Sequence, residues 1–519
     1  MWVSTTLIAM QSFQFGYALS CLNSALITGD SNNAADCYDG SDNTCPKGTI
    51  YNDLDMSSLE AQLATSLAVL GAWIGCYFGS QPAEKYGRKS TIMWNNIFFI
   101  AGGMLTVLRN LYTLYAGRFL VGLGVGVESV VVPVLLSEIA SDETRGTITT
   151  LHQLLLTVGI FLSGVIGYGV INNVDHGWEY LQGGIMVPSV IMLICFKLIP
   201  ESPKWLLLNN REGEAKEVLI PLRDERADIN MELKAIANDV LTKGGKEDRG
   251  KDDTDDVTWS EVFQAKNAMT IGCGLMFMSA MCGINTVIFY STTIFDFAGF
   301  HESILATASV GAVNLVTTAT SAYFIDRYGR KTLLLIGMYS MLGSLCMLSL
   351  ILISPVEENT QGIIAVMATL WYVFGFAIGL GSVAWVIMSE ICPIRIRTKA
   401  FSLFVSINWL CNLIIGSLTL SAIDGLGSVD YHNMDDDEVA NAQKNGVAYL
   451  YFLFAGICFF SLLFVKFKVP ETKGIAIQNL EDLLGGSGIS PLLGGTDHDV
   501  TSSTFDTPSK LDFKSNFRH

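Results

Sequence analysis

Apolar residues in this chain gather in long runs separated by short polar turns. A run of about 20 apolar residues spans a bilayer as a helix, because hydrocarbon cannot satisfy an open backbone. Twelve such runs occur, over residues 3–28, 59–80, 91–108, 112–137, 149–171, 181–199, 268–296, 303–325, 332–354, 362–389, 400–422 and 446–467. Successive turns then face opposite sides of the membrane. The turns after runs two, four, eight and ten carry Lys85, Arg88 and Lys89, then Arg145, then Arg327, Arg330 and Lys331, then Arg395, Arg397 and Lys399. The opposite turns hold Lys47, Arg109 and Lys444. The excess of positive charge on one side predicts that both termini are cytosolic.

The pattern repeats. Asp326-Arg327-Tyr328-Gly329-Arg330-Lys331 lies between runs eight and nine, and Glu84-Lys85-Tyr86-Gly87-Arg88-Lys89 lies between runs two and three. Glu138 and Arg145 flank the end of run four as Glu390 and Arg397 flank the end of run ten. Matching features six runs apart predict a parallel repeat. The expectation is an all-α membrane protein of twelve transmembrane helices in two six-helix bundles, over 1–200 and 261–468. Residues 201–260 are charged, with helix-like pieces at 212–220 and 232–241, and read as a cytosolic linker. Residues 469–519, rich in Gly, Ser, Thr and Asp, read as a mostly disordered tail.

Composition fits this picture and excludes others. Of 519 residues, 50% are hydrophobic and 16% charged, against about a quarter charged in soluble domains. The net charge of −17 lies largely in polar loops such as 252–256 and 435–438, and offers no basic surface for nucleic acid. Of eleven Cys, only Cys37 and Cys45 fall in a loop on the non-cytosolic side, where oxidising conditions allow a disulfide. No Cys/His spacing fits a metal site and no cofactor is expected. The N-terminus lacks a basic segment, so run one is expected to be a retained helix. Gly122, Gly124 and Gly126 lie inside a membrane run, not between a strand and a helix, and no catalytic constellation stands out, so no enzyme is expected.

Several short motifs carry a family resemblance. They are the Gly-Arg-Lys turns at 87–89 and 329–331, Arg145-Gly146, Pro-Glu-Ser-Pro-Lys-Trp-Leu at 200–206, Gly-Ile-Asn at 283–285 and Pro-Glu-Thr-Lys-Gly at 470–474. Together they resemble the sugar porter family of the major facilitator superfamily, over nearly the whole chain. The resemblance implies alternating-access transport of a monosaccharide or polyol held at mid-membrane between the halves, by a monomer in lipid. Uncharged donors and acceptors beside flat aromatic faces suit such a ligand, although buried amides also tie helices together. By resemblance Gln153, Asn285, Asn314 and Trp385 match sugar-contact positions, followed by Phe376 and Asn408. Asn412 and Trp409 are read as packing. Phe289 and Tyr290 resemble outer-gate aromatics.

The chain also departs from the family. Ser279 and Ala280 stand where two Gln are usual, Ala377 where Glu is common, and Leu380, Ser382 and Ala384 in a stretch usually rich in Pro. These losses count against glucose itself as the substrate. Gly16-Tyr17 is followed by Ala18, not by the Asp of proton-coupled members, although Arg118 is present. Facilitated diffusion is therefore the first expectation. Glu128 inside run four is first read as a structural group, facing a wet cavity or paired with Arg118 or His152. Proton symport through it is the alternative, since an ionisable residue in a membrane helix is a functional candidate. A non-transporting sugar sensor is a further alternative.

The charged turns also resemble a cytosolic salt-bridge gate, formed by Glu84, Arg88, Glu138, Arg145, Asp326, Arg330, Glu390 and Arg397, with Glu201 and Arg211 as further members. The plasma membrane is the expected location. Glu481-Asp482-Leu483-Leu484 resembles a sorting signal to endosomes or a vacuole.

Overall fold

The computed structural model describes residues 2–26, 48–54, 56, 58–141, 144–223, 228–243, 258–288, 303–393, 396–429 and 436–473. The expected Cys37–Cys45 disulfide, Phe289 and Tyr290, and the tail beyond 473 lie outside these residues. Among them all regular structure is helical. The first half holds α1 (Trp2–Ala25), a short α2 (Tyr51–Leu54), α3 (Ser58–Lys85), α4 (Arg88–Thr106), α5 (Leu111–Ile139), α6 (Arg145–Asn173), α7 (Gly177–Gly183) and α8 (Met186–Ile194). Four short helices follow, α9 (Pro203–Leu208), α10 (Glu212–Leu219), α11 (Ile229–Lys243) and α12 (Trp259–Gln264). The second half holds α13 (Lys266–Met281), α14 (Ser303–Tyr328), α15 (Arg330–Ile353), α16 (Glu358–Ile378), α17 (Leu380–Ile391), α18 (Arg397–Gly427) and α19 (Asp436–Lys468).

Eight helices among the described residues are long and apolar enough to cross a membrane. The other four expected spans are α1, α4, α7 with α8, and α14. Three of them carry amides inside the protein: Gln11 and Gln14 on α1, Asn95 and Asn96 on α4, and Asn314 on α14 are all buried. Their polar groups meet protein, not hydrocarbon, so a helix can lose hydropathy and still span. The fourth is broken near Gly184, and there the Gln14 side chain donates to the Ile185 carbonyl at 2.9 Å. Close approach of α3 and α5 needs small residues. A side chain at Gly122 or Gly126 would collide with the backbone at Ala68 or Ala72.

The two charged turns share one geometry. Gly87 has φ 96° and ψ 161°, and Gly329 has φ 90° and ψ 161°. This left-handed φ suits glycine and lets one helix stop and the next start at once. Neither turn has a cap from its own side chain, so the first N–H groups of α4 and α15 would be orphaned. A distant glutamate supplies the acceptor each time. Glu201 accepts from the N–H of Arg88 at 2.8 Å and of Lys89 at 3.1 Å. Glu471 accepts from the N–H of Arg330 at 2.8 Å and of Lys331 at 3.1 Å. The carboxylates sit at positive helix ends, where negative charge is favourable. Pro200-Glu201-Ser202 and Pro470-Glu471-Thr472 are thus equivalent parts of the repeat. Burial pushes the Glu201 carboxyl up, against the opposing pull of the Ser202, Lys89 and Arg88 N–H groups and the Arg88 charge.

Two spans of the second half break near their middles. The break after α13 turns on Gly283, with φ 91°, and helical backbone resumes over 284–288. Tyr372 donates to the freed Cys282 carbonyl at 2.8 Å, and Thr286 to that of Gly283 at 2.6 Å. The other break, at Gly379 between α16 and α17, forms without the family's prolines. Ser382 donates to the Ala377 carbonyl at 2.8 Å and Ser321 to that of Ile378 at 3.3 Å. Gly337 of α15 packs against the backbone of Gly375 and Gly379, where a Cβ would clash.

The described residues of the segment between the halves are docked onto the first half. Trp205, Leu206, Ala215, Leu219 and Leu233 form a small core of their own. Trp205 donates to the Glu84 carbonyl at 2.7 Å, and Arg223 to that of Ile139 at 2.9 Å.

Candidate functional site

The helix breaks and buried amides converge on a cavity of about 120 Å³ between the halves. The first half lines it with Phe15, Leu19 and Ser20 of α1 and with Gln153, Leu156 and Ile160 of α6. The second half adds Ser279, Asn285, Asn314, Phe376, Trp385, Asn408, Trp409 and Asn412, besides Ile284, Ile288 and Gly381. The lining contains amides, two hydroxyls and aromatic faces and, among the described residues, no charged side chain.

Asn412 and Trp409, read from sequence as packing, belong to this wall. Asn285 donates to the Asn412 carbonyl oxygen, and Asn412 donates to that of Asn408 at 3.0 Å. Asn408 in turn donates to the Met276 carbonyl at 3.2 Å. The chain of amides fixes each flip and leaves further donor and acceptor capacity toward the cavity. The signal was available: Asn408 and Asn412 are four apart and share a face of α18. Trp409 stands 5.7 Å from Phe15, ring to ring, and its indole N–H donates to Ser129 across the halves at 3.3 Å. Ser279 lines the cavity, while Ala280 and Ala377 are buried and are not among the lining residues. Phe15, Leu19 and Ser20 were not singled out in the sequence, because nothing in their type separates them from packing.

The charged residues gather at the end of the molecule bearing the turns. Arg88 pairs with Glu138 at 3.1 Å, and Arg330 with both Glu390 at 2.9 Å and Asp326 at 3.1 Å. Both arginines are buried. Glu84 pairs with Lys399 of the other half at 3.5 Å. Arg397 donates to the Cys392 carbonyl at 3.0 Å. These contacts follow helix packing, α4 on α5 and α15 on α17, more than spacing in sequence. Arg145 opens α6, and its neighbour Gly146 abuts Asp326 and Arg330.

The halves also meet through neutral groups that the sequence did not flag. Asp326 accepts from the Thr147 hydroxyl at 2.6 Å and its N–H at 3.1 Å. Arg88 donates to Thr398 at 3.1 Å, and Ser402 to the Cys76 carbonyl at 2.7 Å. Glu201 joins by capping α4, whereas Arg211 forks onto Glu214 at the surface. The charged-turn end is therefore held shut across the halves.

The coupling candidates differ from expectation. Arg118 donates to the Ala18 carbonyl at 2.8 Å and contacts the Cys21 sulfur at 3.9 Å. Glu128 is buried and pairs with neither Arg118 nor His152; among the described residues no donor reaches either of its oxygens. His152 is held by Ser12 at Nδ1, 2.8 Å, and its ring meets the Trp385 ring edge-on at 5.1 Å. The partners of Arg118 and His152 lie on another helix, α1, so a sequence reading does not reveal them.

The chain matches the profile of the family described as "Sugar (and other) transporter" over residues 4–484. It is 31% identical to facilitated glucose transporter protein 1 of Caenorhabditis elegans, over 92% of this chain and 89% of that one. It is 27% identical to myo-inositol transporter 1 of Candida albicans, over 93% and 83%. Its fold superposes on the major facilitator superfamily proton:xylose symporter XylE bound to 6-bromo-6-deoxy-D-glucose with a TM-score of 0.76, at 22% identity, over 93% of this chain and 98% of that one. A profile that spans almost every helix described above makes the chain a member of the sugar transporter family, built on the major facilitator fold.

Proposed function

We propose that this protein moves a hexose or a related cyclic polyol across a membrane by alternating access. The observation that carries this reading is the cavity between the halves, whose wall joins an amide chain from Asn285 through Asn412 to Asn408 with Gln153, Asn314 and the Trp385 face. Sugar hydroxyls exchange water for such amides at little cost, and the apolar face of the ring stacks on an aromatic side chain. A charged substrate would find no counter-ion there among the described residues. Ser279 replaces a longer amide, so the site favours a sugar or polyol that makes fewer hydrogen bonds on that wall than glucose does in other members. The relation to both a glucose and a myo-inositol transporter supports this substrate range.

The charged-turn end is assigned to the cytosol, with both termini there, on the excess of Lys and Arg in its turns. The closed contacts at that end then correspond to a carrier shut toward the cytosol. The working unit is a monomer of two six-helix bundles, over 1–200 and 261–468, in the plasma membrane.

The test is uptake of a panel of labelled hexoses, pentoses and cyclic polyols in a host without its own hexose carriers. Saturable uptake of at least one member is expected. Asn285→Ala and Trp385→Ala should each raise KM by about tenfold, the worth of a lost hydrogen bond or stacking face. A protein that reaches the membrane, binds a sugar and moves none would instead be a sensor.

A further inference from the structure

The first half contains a buried polar layer that the sugar cavity does not use. Ser12 and Gln11 of α1, Asn95 and Asn96 of α4, Glu128 of α5 and His152 of α6 lie at one level, and all six are buried. The level is fixed from both sides. One turn toward the charged end, Ile8, Ile92, Val131, Val132 and Ile148 belong to one apolar cluster. One turn the other way, Phe15, Phe99, Val125 and Leu156 belong to another. Hydrogen bonds tie its helices together in pairs: Gln11 donates to Asn96 at 2.8 Å, Asn95 to the Gly124 carbonyl one turn from Glu128 at 2.9 Å, and Ser12 meets His152 at 2.8 Å.

The layer has too many acceptors. Gln11 Oε1, Asn95 Oδ1 and both Glu128 oxygens have no donor among the described residues, and His152 Nε2 has no partner. Burying a carboxylate charge in that state costs far more than burying the protonated acid, which brings its own donor. Among the described residues no other charge lies at this level on the helices packed against α5. Arg118, Tyr17 and Cys21 lie toward the far end, where Arg118 donates to the Ala18 carbonyl and contacts the Cys21 sulfur, and Tyr17 donates to the Leu181 carbonyl of α7. Arg88, Glu138, Lys204, Glu84, Glu390, Arg397 and Lys399 lie at the charged-turn end. Cys76 of α3 turns its backbone N–H toward Gly126, and its thiol donates to the Trp73 carbonyl of its own helix at 3.0 Å.

The layer touches the sugar cavity at two points. Ser129, next to Glu128, accepts from the Trp409 indole, and His152 meets the Trp385 ring. Both tryptophans belong to the second half and line the cavity. Rocking of the halves must therefore alter the surroundings of the layer.

We propose that this layer is a proton-binding site, with Glu128 as the carboxyl that takes up and releases the proton and His152 as the group between it and the cavity, and that it couples sugar movement to a pH gradient. The inference rests on the transport reading above. One proton enters on Glu128 from the side where the cavity opens, crosses with the sugar, and leaves on the other side. This assigns the coupling acid to α5 in a chain that has Ala18 at the position where Asp is usual.

The experiment uses the full chain in proteoliposomes with a sugar identified by the uptake panel. Counterflow exchange without a gradient reports transport alone. Accumulation under an acid-outside gradient reports coupling, and a pH difference of about one unit can drive about tenfold accumulation at one proton per sugar. Wild type should accumulate and should alkalinise a weakly buffered medium when sugar is added. Glu128→Gln should keep counterflow and lose accumulation. If Glu128→Gln loses both, Ser12→Ala, which releases His152 without touching the carboxyl, must lower accumulation at unchanged counterflow. Wild-type counterflow with no response to pH overturns the proposal and leaves the transport reading intact. Accumulation by Glu128→Gln equal to wild type, Ser12→Ala with accumulation unchanged, or a sodium gradient replacing the pH gradient, also overturns it. Absence of counterflow in wild type counts against the transport reading itself.

Discussion

The turn at Gly87 and the turn at Gly329 have the same backbone and the same kind of cap, a glutamate from the far end of their own half. Their arginines use their positions differently. Arg330 forms its ion pairs inside its own half, with Asp326 and Glu390, and only abuts Gly146 of the other. Arg88 holds Glu138 and also donates across the interface to Thr398, and Glu84 turns away to Lys399 of the other half. In the second half it is the acid, Asp326, that crosses, onto Thr147. The repeat thus supplies a local folding device twice. The interlock between the halves comes from the places where the repeat is not obeyed. Identical clamps would present like charges to each other; unlike ones can pair.

This comparison predicts unequal costs for the two arginines. Arg330→Ala leaves two carboxylates without their shared guanidinium, one of them buried, and should cost about 3–5 kcal/mol of stability. Arg88→Ala leaves one carboxylate and cuts a cross-half hydrogen bond, so it should cost less stability and perturb cycling more. Thermal unfolding in detergent, read by tryptophan fluorescence beside uptake rates, separates the two effects. Equal losses of stability would break the distinction between an inward-facing and an interlocking arginine.

The glycines test the part that is shared. Gly329→Ala and Gly87→Ala each place a side chain at left-handed φ and against a capping carboxylate. Each should cost about 1–3 kcal/mol, and the two should match. A difference greater than about 1 kcal/mol between them, measured in the same unfolding assay, would show that the caps are not equivalent despite their geometry.

How far the sequence carried the reading follows the same line between local and distant contacts. Long apolar runs and the Gly-Arg-Lys turns place the spans, because both are properties of neighbouring residues. The break at Gly283 is legible in Gly-Ile-Asn for the same reason. The break at Gly379 is visible as a pair of glycines, but Ser321 and Ser382, which satisfy its carbonyls, are not. Gln153, Asn285, Asn314 and Trp385 were singled out by family resemblance, and they line one cavity. Asn412 reads as packing when taken alone; its bond to Asn408 four residues earlier is visible on their shared helix, but its bond from Asn285 on another helix is not. Glu201 caps a helix opened 113 residues earlier; only the parallel between Pro-Glu-Ser and Pro-Glu-Thr hints at it. Lys399 stood out as a positive charge in a turn, but its partner Glu84 lies in the other half. The level shared by Gln11, Asn95, Glu128 and His152 needs four helices in register, which no single run encodes.

The weakest link should be the most revealing about motion. Lys399 is buried and Glu84 half-buried, and they pair at 3.5 Å, longer than the other ion pairs described at this end; desolvation of both groups offsets most of their attraction, and Glu84 keeps contact with water, so the pair contributes a net of about 1 kcal/mol. Lys399→Ala should therefore leave the unfolding temperature almost unchanged. It acts on the shut form alone, because the pair exists only while the halves meet at the charged-turn end. Removing about 1 kcal/mol from one of two interconverting states shifts their ratio by about fivefold. Net uptake, which requires the empty carrier to return, should change by up to that factor, whereas equilibrium exchange should change less. A large loss of stability would place the pair among the contacts that hold each half together. A change in net uptake without a change in unfolding would place it, with Arg88 and Asp326, among those that hold the halves to each other.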